Sequence, residues 1–221
     1  MEMTNKDGHI YITPKDGKYT HVIIFLHGLG DYPQSYIGFF QENDLIPKNI
    51  SVKIILLKAP LRKYQTSWFT ISTFPMDSKD CYTFKEAQEV SKIVEKIIEE
   101  EAKSLNGKYE NIIIGGFSQG ACMSLYIGLT YDHLLGGVIS LSGFVFPELE
   151  NLKKNKELNI FNAHGDVDNV ILNQFNLDTL KMIQDYKGLN NFIYHNLGHN
   201  INGKEMQDLQ SFLKKILNIN K

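Results

Sequence analysis

Unbroken apolar runs recur along this chain, separated by stretches in which apolar residues return every three or four positions. The first pattern is typical of strands buried on both faces of a sheet, and the second of helices that bury one face. The apolar runs and one weaker stretch predict strands at 22–26, 52–57, 112–114, 138–141, 158–163 and 192–196. The other stretches predict helices at 36–43, from 83 onward, after 118, at 173–186 and at 204–217. Because strands and helices alternate, we expect a mostly parallel sheet with helices on both faces.

The clearest helix start lies at Thr83. Thr83 and Glu86 fit a capping box, in which two side chains bond the backbone amides at the start of a helix. A single apolar stripe follows, formed by Ala87, Val90, Val94, Ile97 and Ile98. The sequence therefore predicts a long amphipathic helix that packs this stripe against the sheet.

Two segments fall outside the alternation. Residues 1–20 are polar with a short alternating piece at 9–12, so we expect a short N-terminal extension or edge-strand segment, and one domain over residues 21–221. Residues 58–81 contain prolines and scattered aromatic residues but show no period. A loop of this length commonly marks functional surface.

The sharpest local signal is Gly116-Phe117-Ser118-Gln119-Gly120, between a predicted strand and a predicted helix. This Gly-x-Ser-x-Gly pattern is the nucleophile elbow, in which the serine backbone is strained and the glycines let strand and helix approach. The turn places the Ser118 hydroxyl at a helix N-terminus, where the helix dipole favours negative charge. The pattern also fits a glycine-rich turn whose serine only caps the helix, so it needs support from the rest of the chain.

That support comes from residues that follow other predicted strands. The carboxyl ends of parallel strands meet at one edge of a sheet, where ligand sites lie, and residues 27–31, 164–168 and 198–199 all follow strands. A serine needs a base to take its proton, and an imidazole base needs a carboxylate that fixes its tautomer. We predict Ser118 as the nucleophile, His199 as the base and Asp168 as the orienting carboxylate.

A second histidine and a second aspartate lie close to the residues predicted as base and orienting carboxylate. His195 lies within a predicted strand, where its side chain would point to one face of the sheet, whereas His199 lies on a loop that can reach over the edge. Asp166 and Asp168 both follow the strand at 158–163. Asp168 lies further along the turn, so it can reach toward a histidine that follows the next strand. These positions favour His199 and Asp168.

Acyl transfer also requires donors for the oxyanion of a tetrahedral intermediate. One donor is the backbone N–H of the residue after the nucleophile, Gln119. The second is expected from the loop after the first buried strand, at the N–H of Leu29, since Gly28 and Gly30 let that loop turn its amides inward. A plain tight turn is the competing interpretation of this glycine pair.

Composition narrows the class of protein. The chain of 221 residues is 43% hydrophobic and 22% charged, with a formal net charge of −2 that offers no field for nucleic acid. Cys81 and Cys122 are too few for a disulfide framework or a zinc site, and we expect no metal and no other cofactor. The first residues lack the apolar core of a signal peptide, and no apolar stretch is long enough to span a bilayer. We expect a cytoplasmic protein.

Five motifs together resemble the acyl-protein thioesterase and lysophospholipase family of small carboxylesterases, within the α/β-hydrolase superfamily. They lie at residues 27–31, 67–69, 115–121, 164–168 and 198–199, and the resemblance runs from about residue 20 to the end of the chain. It implies a single-domain α/β-hydrolase fold. The family's catalytic serine, aspartate and histidine fall on Ser118, Asp168 and His199, and its oxyanion amides on Leu29 and Gln119.

The same resemblance implies an apolar channel for the acyl chain around residues 67–69. The candidates are Trp68, Phe69, Ile71, Phe74 and Met76. The chain departs from the family pattern at Asn169, where proline usually follows the aspartate, and at Thr70, where aspartate commonly follows Trp-Phe. These changes leave the chemistry intact and bear on substrate preference.

The resemblance implies a serine hydrolase that cleaves long-chain acyl thioesters of S-acylated proteins through an acyl-serine intermediate. A lysophospholipase or general carboxylesterase with the same residues is the alternative, and a catalytically inactive lipid-binding α/β-hydrolase is a third hypothesis. The expected partners are S-acylated proteins or lysophospholipids. Transient contact with a membrane surface and a weak homodimer are both compatible with this assignment, and nucleic acid is not expected.

Overall fold

Eight of the ten strands form one continuous sheet in the computed structural model, which describes residues 1–76, 79–151 and 154–218. The strands are β1 (Glu2–Lys6), β2 (His9–Thr13), β3 (His21–Leu26), β4 (Val52–Leu57), β5 (Leu61–Arg62), β6 (Gln65–Thr66), β7 (Ile112–Phe117), β8 (Gly137–Leu141), β9 (Asn159–Gly165) and β10 (Gly188–Tyr194). The large sheet has the order β1-β2-β4-β3-β7-β8-β9-β10, and β5 and β6 form a separate small hairpin. All pairings in the large sheet are parallel except the two made by β2. The predicted mostly parallel sheet is confirmed.

Five α-helices accompany the sheet in the described part of the chain. They are α1 (Ile37–Gln41), α2 (Phe84–Ser104), α3 (Gln119–Thr130), α4 (Asn173–Ile183) and α5 (Gly203–Asn218). Short 3-10 turns precede α1 at Pro33–Tyr36 and α2 at Lys79–Cys81. The predicted helix at 36–43 is thus divided between a 3-10 turn and a short α-helix. Pro33 fixes the backbone at the start of that turn.

The core lies in two layers, one on each face of the sheet. Successive strand residues point to opposite faces, so Ile24 packs into one layer while Ile23 and Phe25 pack into the other. Helices α2, α3 and α4 contribute to the first layer, and α1 and α5 to the second. The central strands β3, β4, β7 and β8 are almost entirely apolar because both faces of the sheet are covered there, as the unbroken apolar runs predict.

The N-terminal segment adds two strands to the sheet. The hairpin β1–β2 pairs through β2 with β4, so β1 is the outermost strand on that side. At the other edge, β10 begins at Gly188 and ends at Tyr194, earlier in both respects than the predicted strand at 192–196. His195 therefore lies just beyond the strand rather than within it.

The predicted capping box at the start of α2 is wrong. Thr83 is the residue before the helix, but its side chain makes no capping hydrogen bond. The Glu86 carboxylate instead accepts a 2.6 Å hydrogen bond from the backbone N–H of Thr70 and lies 3.1 Å from the Arg62 guanidinium. Glu86 thereby holds the segment after β6 to the start of α2.

Among the helices that the structure describes, none combines the length and the apolar composition that crossing a bilayer requires.

Candidate active site

Ser118 lies in a sharp turn between β7 and α3. Its backbone angles are φ 55° and ψ −120°, in the left-handed half of conformational space that residues with a Cβ rarely adopt. Strand and helix approach so closely that a Cβ at position 120 would lie 2.0 Å from the Leu26 carbonyl oxygen. A Cβ at position 116 would lie 2.4 Å from the Gly120 carbonyl carbon. Glycine at both positions is what allows this turn.

Three predicted residues from three different loops form one hydrogen-bonded row. The Ser118 Oγ lies 2.8 Å from the His199 Nε2, and the His199 Nδ1 lies 2.7 Å from the Asp168 Oδ2. Asp168 follows β9, and His199 follows β10, so the sheet brings their loops to the edge where β7 ends. The imidazole can accept the Ser118 proton at Nε2 only when Nδ1 carries its own proton toward Asp168.

The Asp168 carboxylate is almost completely buried and fully engaged. Its Oδ1 accepts hydrogen bonds from the backbone N–H groups of Val170 at 2.8 Å and Ile171 at 3.0 Å. Burial by itself raises the pKa of Asp168, but the hydrogen bond and the charge of His199 outweigh it, so that the net pKa lies below the ordinary value. The carboxylate is therefore ionised at neutral pH and fixed in orientation.

His164 lies beside Asp168 at the end of β9. Burial lowers the pKa of its imidazole, so the ring is neutral at neutral pH. The His164 Nε2 lies 2.9 Å from the Ile171 carbonyl oxygen, to which it donates, and 3.4 Å from the Asp168 Oδ2. This second imidazole supports the turn that carries Asp168.

The two alternative candidates, His195 and Asp166, bond to each other. The His195 Nδ1 lies 2.6 Å from the Asp166 Oδ2, and this hydrogen bond lowers the pKa of the Asp166 carboxyl. His195 is 83% exposed at its side chain, and neither member of the pair hydrogen-bonds to Ser118. The structure joins Ser118 to His199 and Asp168 instead.

The two predicted oxyanion donors, Leu29 and Gln119, lie on different elements near Ser118. Gln119 is the first residue of α3, so its N–H has no acceptor within the helix. Leu29 lines the same cavity as Ser118, on the loop after β3. The His27 Nε2 accepts the Ala59 N–H at 3.1 Å, and the Gly30 N–H donates to the Thr66 carbonyl at 2.8 Å. These bonds tie the Leu29 loop to β6 and to the segment that precedes β5.

A cavity of about 220 Å³ opens beside Ser118. Its lining is mostly apolar and includes Ile71, Phe74 and Met76, three of the five residues predicted to contact an acyl chain. The cavity is completed by Gly28, Leu29, Asp31, Phe117, Val170, Ile171 and His199. Val170 and Ile171 come from the loop that carries Asp168, and nothing in their spacing indicated this contact.

The other two predicted acyl-chain residues, Trp68 and Phe69, do not line this cavity. The Trp68 indole Nε1 donates a 2.8 Å hydrogen bond to the His27 carbonyl, and its ring packs beside the His27 imidazole. Phe69 is fully buried and packs its ring against Tyr82 and Phe146. Both are core residues because the chain turns inward at 68–69 before it returns to the cavity at Ile71.

The side chain of Gln119 has a role that the sequence did not indicate. It is almost fully buried, and its Oε1 accepts the Trp68 N–H at 2.8 Å. Its Nε2 donates to the Phe69 carbonyl at 2.5 Å and to the Ser67 Oγ at 3.1 Å. One residue thus contributes a backbone amide beside Ser118 and a side-chain clamp on the segment that leads to the cavity wall.

A metal site requires several ligating side chains that lie close together. No three His, Cys, Asp or Glu side chains among residues 1–76, 79–151 and 154–218 come together in a group that could hold a metal ion.

Comparison with known proteins gives one consistent assignment. A family model described as phospholipase/carboxylesterase matches residues 7–217. Acyl-protein thioesterase 1 of Kluyveromyces lactis is 31% identical over 215 residues, which cover 90% of this chain and 93% of that protein. Acyl-protein thioesterase 1 homolog 1 of Dictyostelium discoideum is 31% identical, with 94% and 95% of the two chains covered.

Solved structures agree with this assignment. The crystal structure of Arabidopsis thaliana SOBER1 is similar with a TM-score of 0.77 and 25% identity, covering 89% of this chain and 99% of that one. Zea mays acyl-protein thioesterase 2, at 21% identity and a TM-score of 0.71, shares the fold. With the family model matching almost from end to end and the serine turn in its expected place, the chain belongs to the phospholipase/carboxylesterase family of α/β-hydrolases.

Proposed function

We propose that this enzyme hydrolyses long-chain acyl thioesters, releasing fatty acid from S-acylated proteins through an acyl intermediate on Ser118. The proposed mechanism rests on the hydrogen bonds that link Ser118 to His199 and His199 to Asp168. The substrate class rests on the similarity to proteins named acyl-protein thioesterases and on the apolar cavity beside Ser118.

In the first half-reaction, His199 Nε2 takes the hydroxyl proton as the Ser118 Oγ attacks the thioester carbonyl carbon. The carbonyl oxygen becomes an oxyanion, and the N–H groups of Leu29 and Gln119 are the proposed donors to it. When the tetrahedral intermediate collapses, the carbon–sulfur bond breaks and the proton from His199 goes to the departing thiolate. Asp168 stabilises the transient imidazolium and keeps its orientation.

In the second half-reaction, water attacks the acyl-Ser118 ester. His199 takes a proton from the water as it attacks, and the same amides stabilise the second oxyanion. Collapse of this intermediate breaks the bond to Ser118 Oγ, which regains its proton from His199. The products are the free fatty acid and the enzyme in its starting state.

The cavity gives a reason for selectivity toward acyl chains. Its walls at Ile71 and Met76 are apolar, and Phe74, which is 53% exposed, lies at its rim. Each methylene that moves from water into such a cavity contributes about 0.8 kcal/mol when fully desolvated. We therefore expect kcat/KM to rise with acyl length by roughly a few-fold per methylene until the cavity is filled.

Contact with a membrane surface is part of the proposal, because S-acyl chains of proteins reside in membranes. Leu61 and Tyr64 are 70% and 98% exposed on the small β5–β6 hairpin, and Lys63 between them is also exposed. An aromatic and an aliphatic side chain beside a lysine suit the boundary between lipid headgroups and acyl chains.

The deciding experiment compares two substrates of equal acyl length, an acyl-cysteine peptide and a lysophosphatidylcholine, both below their micellar concentrations. A thiolate leaves with little help from a proton, so we expect a higher kcat/KM for the thioester. Ser118→Ala should abolish turnover of both and labelling by a fluorophosphonate. A clear preference for the lysophospholipid would favour the lysophospholipase alternative, and turnover by folded Ser118→Ala would overturn the mechanism.

A further inference from the structure

In the part of the chain that the structure describes, no strand pairs with the outer edge of β1. All five residues of Glu2–Lys6 are exposed, and the one described strand beside β1 is β2. A free strand edge presents a row of unpaired backbone N–H and C=O groups, which can pair with another strand. Neither a proline nor a glycine interrupts this strand, so its backbone can form a regular ladder.

The hairpin turn determines which backbone groups face outward. Two residues, Asp7 and Gly8, connect β1 to β2, with φ angles of 55° and 87°, and Lys6 is opposite His9. In a two-residue hairpin, the residues that flank the turn exchange both backbone hydrogen bonds, and the pattern then alternates along the strand. The amides and carbonyls of Lys6, Thr4 and Glu2 therefore face β2. Those of Met3 and Asn5 face outward.

The sequence of β1 is complementary to itself in one antiparallel register. We propose that β1 pairs with β1 of a second copy about a two-fold axis at Thr4. Met3 of one copy is then opposite Asn5 of the other, and these are the residues whose backbone groups face outward. The same register places Glu2 opposite Lys6 on each side of the axis, so that two carboxylate–ammonium pairs close the interface.

Other arrangements lack this fit. A parallel pairing would place Glu2 against Glu2 and Lys6 against Lys6, and like charges directly opposite one another are destabilising. Shifting the antiparallel register by one residue would oppose outward-facing and inward-facing backbone groups. Shifting it by two residues keeps outward-facing groups opposed but shortens the ladder and loses both Glu2–Lys6 pairs. The observations therefore select a second copy of this chain, in one register, as the occupant of the edge. With only five residues per strand, the dimer is weak and forms at high protein concentration.

Charge reversal tests this register by sedimentation equilibrium at low ionic strength. Lys6→Glu and Glu2→Lys each place like charges opposite one another twice, and each should raise the dimer dissociation constant at least about fivefold. The double variant Glu2→Lys/Lys6→Glu restores opposite charges across the axis and should return the constant to the wild-type value. A wild-type protein that stays monomeric, or a double variant no better than the single ones, would overturn the proposal.

A backbone test addresses the ladder itself. Met3→Pro removes an outward-facing N–H without removing a bond to β2, and should abolish the dimer. The matched variant Met3→Ala keeps the N–H and should dimerise within about twofold of the wild type. If Met3→Pro and Met3→Ala dimerise equally well, backbone pairing of β1 does not hold the dimer together. Ester hydrolysis shows that the rest of the fold is intact in each variant and should be unchanged, because the Ser118 site lies at the ends of β7, β9 and β10, far from β1 in the strand order. The matched Met3→Ala variant controls for loss of the side chain.

Discussion

Asp168 combines deep burial with a full negative charge, and this combination is the residue-scale basis of the proposed mechanism. Two backbone amides and the His199 imidazole satisfy its carboxylate oxygens. The order serine, aspartate, histidine along the chain predicted these three residues. These residues could be predicted because each one follows a buried strand, and the end of such a strand is easy to recognise in the sequence.

Asp168→Asn should lower kcat by about three to four orders of magnitude with little change in KM. The amide preserves the shape of the side chain but no longer holds the His199 proton at Nδ1, so the base is in the wrong tautomer. Steady-state kinetics on a soluble acyl ester measures the effect. Asp166→Asn is the matched control, and a comparable loss there would contradict the assignment of roles.

Gln119→Glu should lower kcat/KM for long acyl substrates by about tenfold to a hundredfold. The new side chain has no N–H to donate to Phe69 and Ser67, and it places a carboxylate against the Phe69 carbonyl oxygen. The segment leading to Ile71 is then displaced from the cavity. Short acyl esters, which do not reach that wall, should lose less, and a merely structural role would affect both substrates equally.

The control for this variant is Gln184→Glu, which makes the same chemical change at an exposed position after α4. It should leave both substrates unaffected. A uniform loss of turnover in Gln119→Glu across all acyl lengths would show that the amide does not position the cavity wall.

At the scale of elements, the errors of sequence-based prediction have two causes, tertiary partners and short elements. Thr83 and Glu86 match a capping box, yet the Glu86 carboxylate bonds to Thr70 and Arg62, residues that precede the helix by more than ten positions. The hairpin β5–β6 has strands of two residues each, which are too short to show a period. A local sequence pattern predicts a helix or strand well when tertiary packing favours the same structure. It cannot predict a hydrogen-bond partner that only the folded chain brings close.

Helix α5 begins with a buried acid that no pattern predicts. Glu205 is 1% exposed, and its two carboxylate oxygens have no hydrogen-bond partner in the described part of the chain. Burial raises the pKa of Glu205 from 4.5 to about 7, and the nearby Asp208 carboxylate acts in the same direction. The folded protein therefore holds this proton more tightly than the unfolded chain does.

The free energy of unfolding should fall as the pH rises from about 4.5 to about 7, and this contribution should level off above that range. Glu205→Gln removes the ionisable group, so at pH 8 the variant should be more stable than the wild type, by up to about 3 kcal/mol. Urea denaturation at pH 5 and pH 8 measures the difference, which should shrink at the lower pH. Glu89→Gln, on an exposed part of α2, controls for the loss of one charge; a variant that is no more stable at pH 8 would contradict the prediction.

For the whole molecule, the alternation of strands and helices was enough to predict a mostly parallel sheet covered on both faces. The strand order was not predictable, because β3, β4 and β7 are equally apolar and nothing in their composition distinguishes the centre from its neighbours. The lining of the cavity beside Ser118 was only partly predictable. Which side of an irregular segment faces a site depends on contacts such as the Trp68–His27 hydrogen bond, which form only in the folded chain.

The two walls of the cavity are joined by their backbones. The Met76 N–H donates a 2.9 Å hydrogen bond to the Val170 carbonyl, and Met76 pairs with Ile171 as an isolated bridge. Val170 and Ile171 in turn donate to Asp168. Opening this cavity would therefore disturb the Asp168 carboxylate, and we expect the two to open together as one local unit. Under the proposed function, an acyl chain bound in this cavity would also keep Ser118, His199 and Asp168 in their hydrogen-bonded arrangement, which links substrate retention to readiness for chemistry.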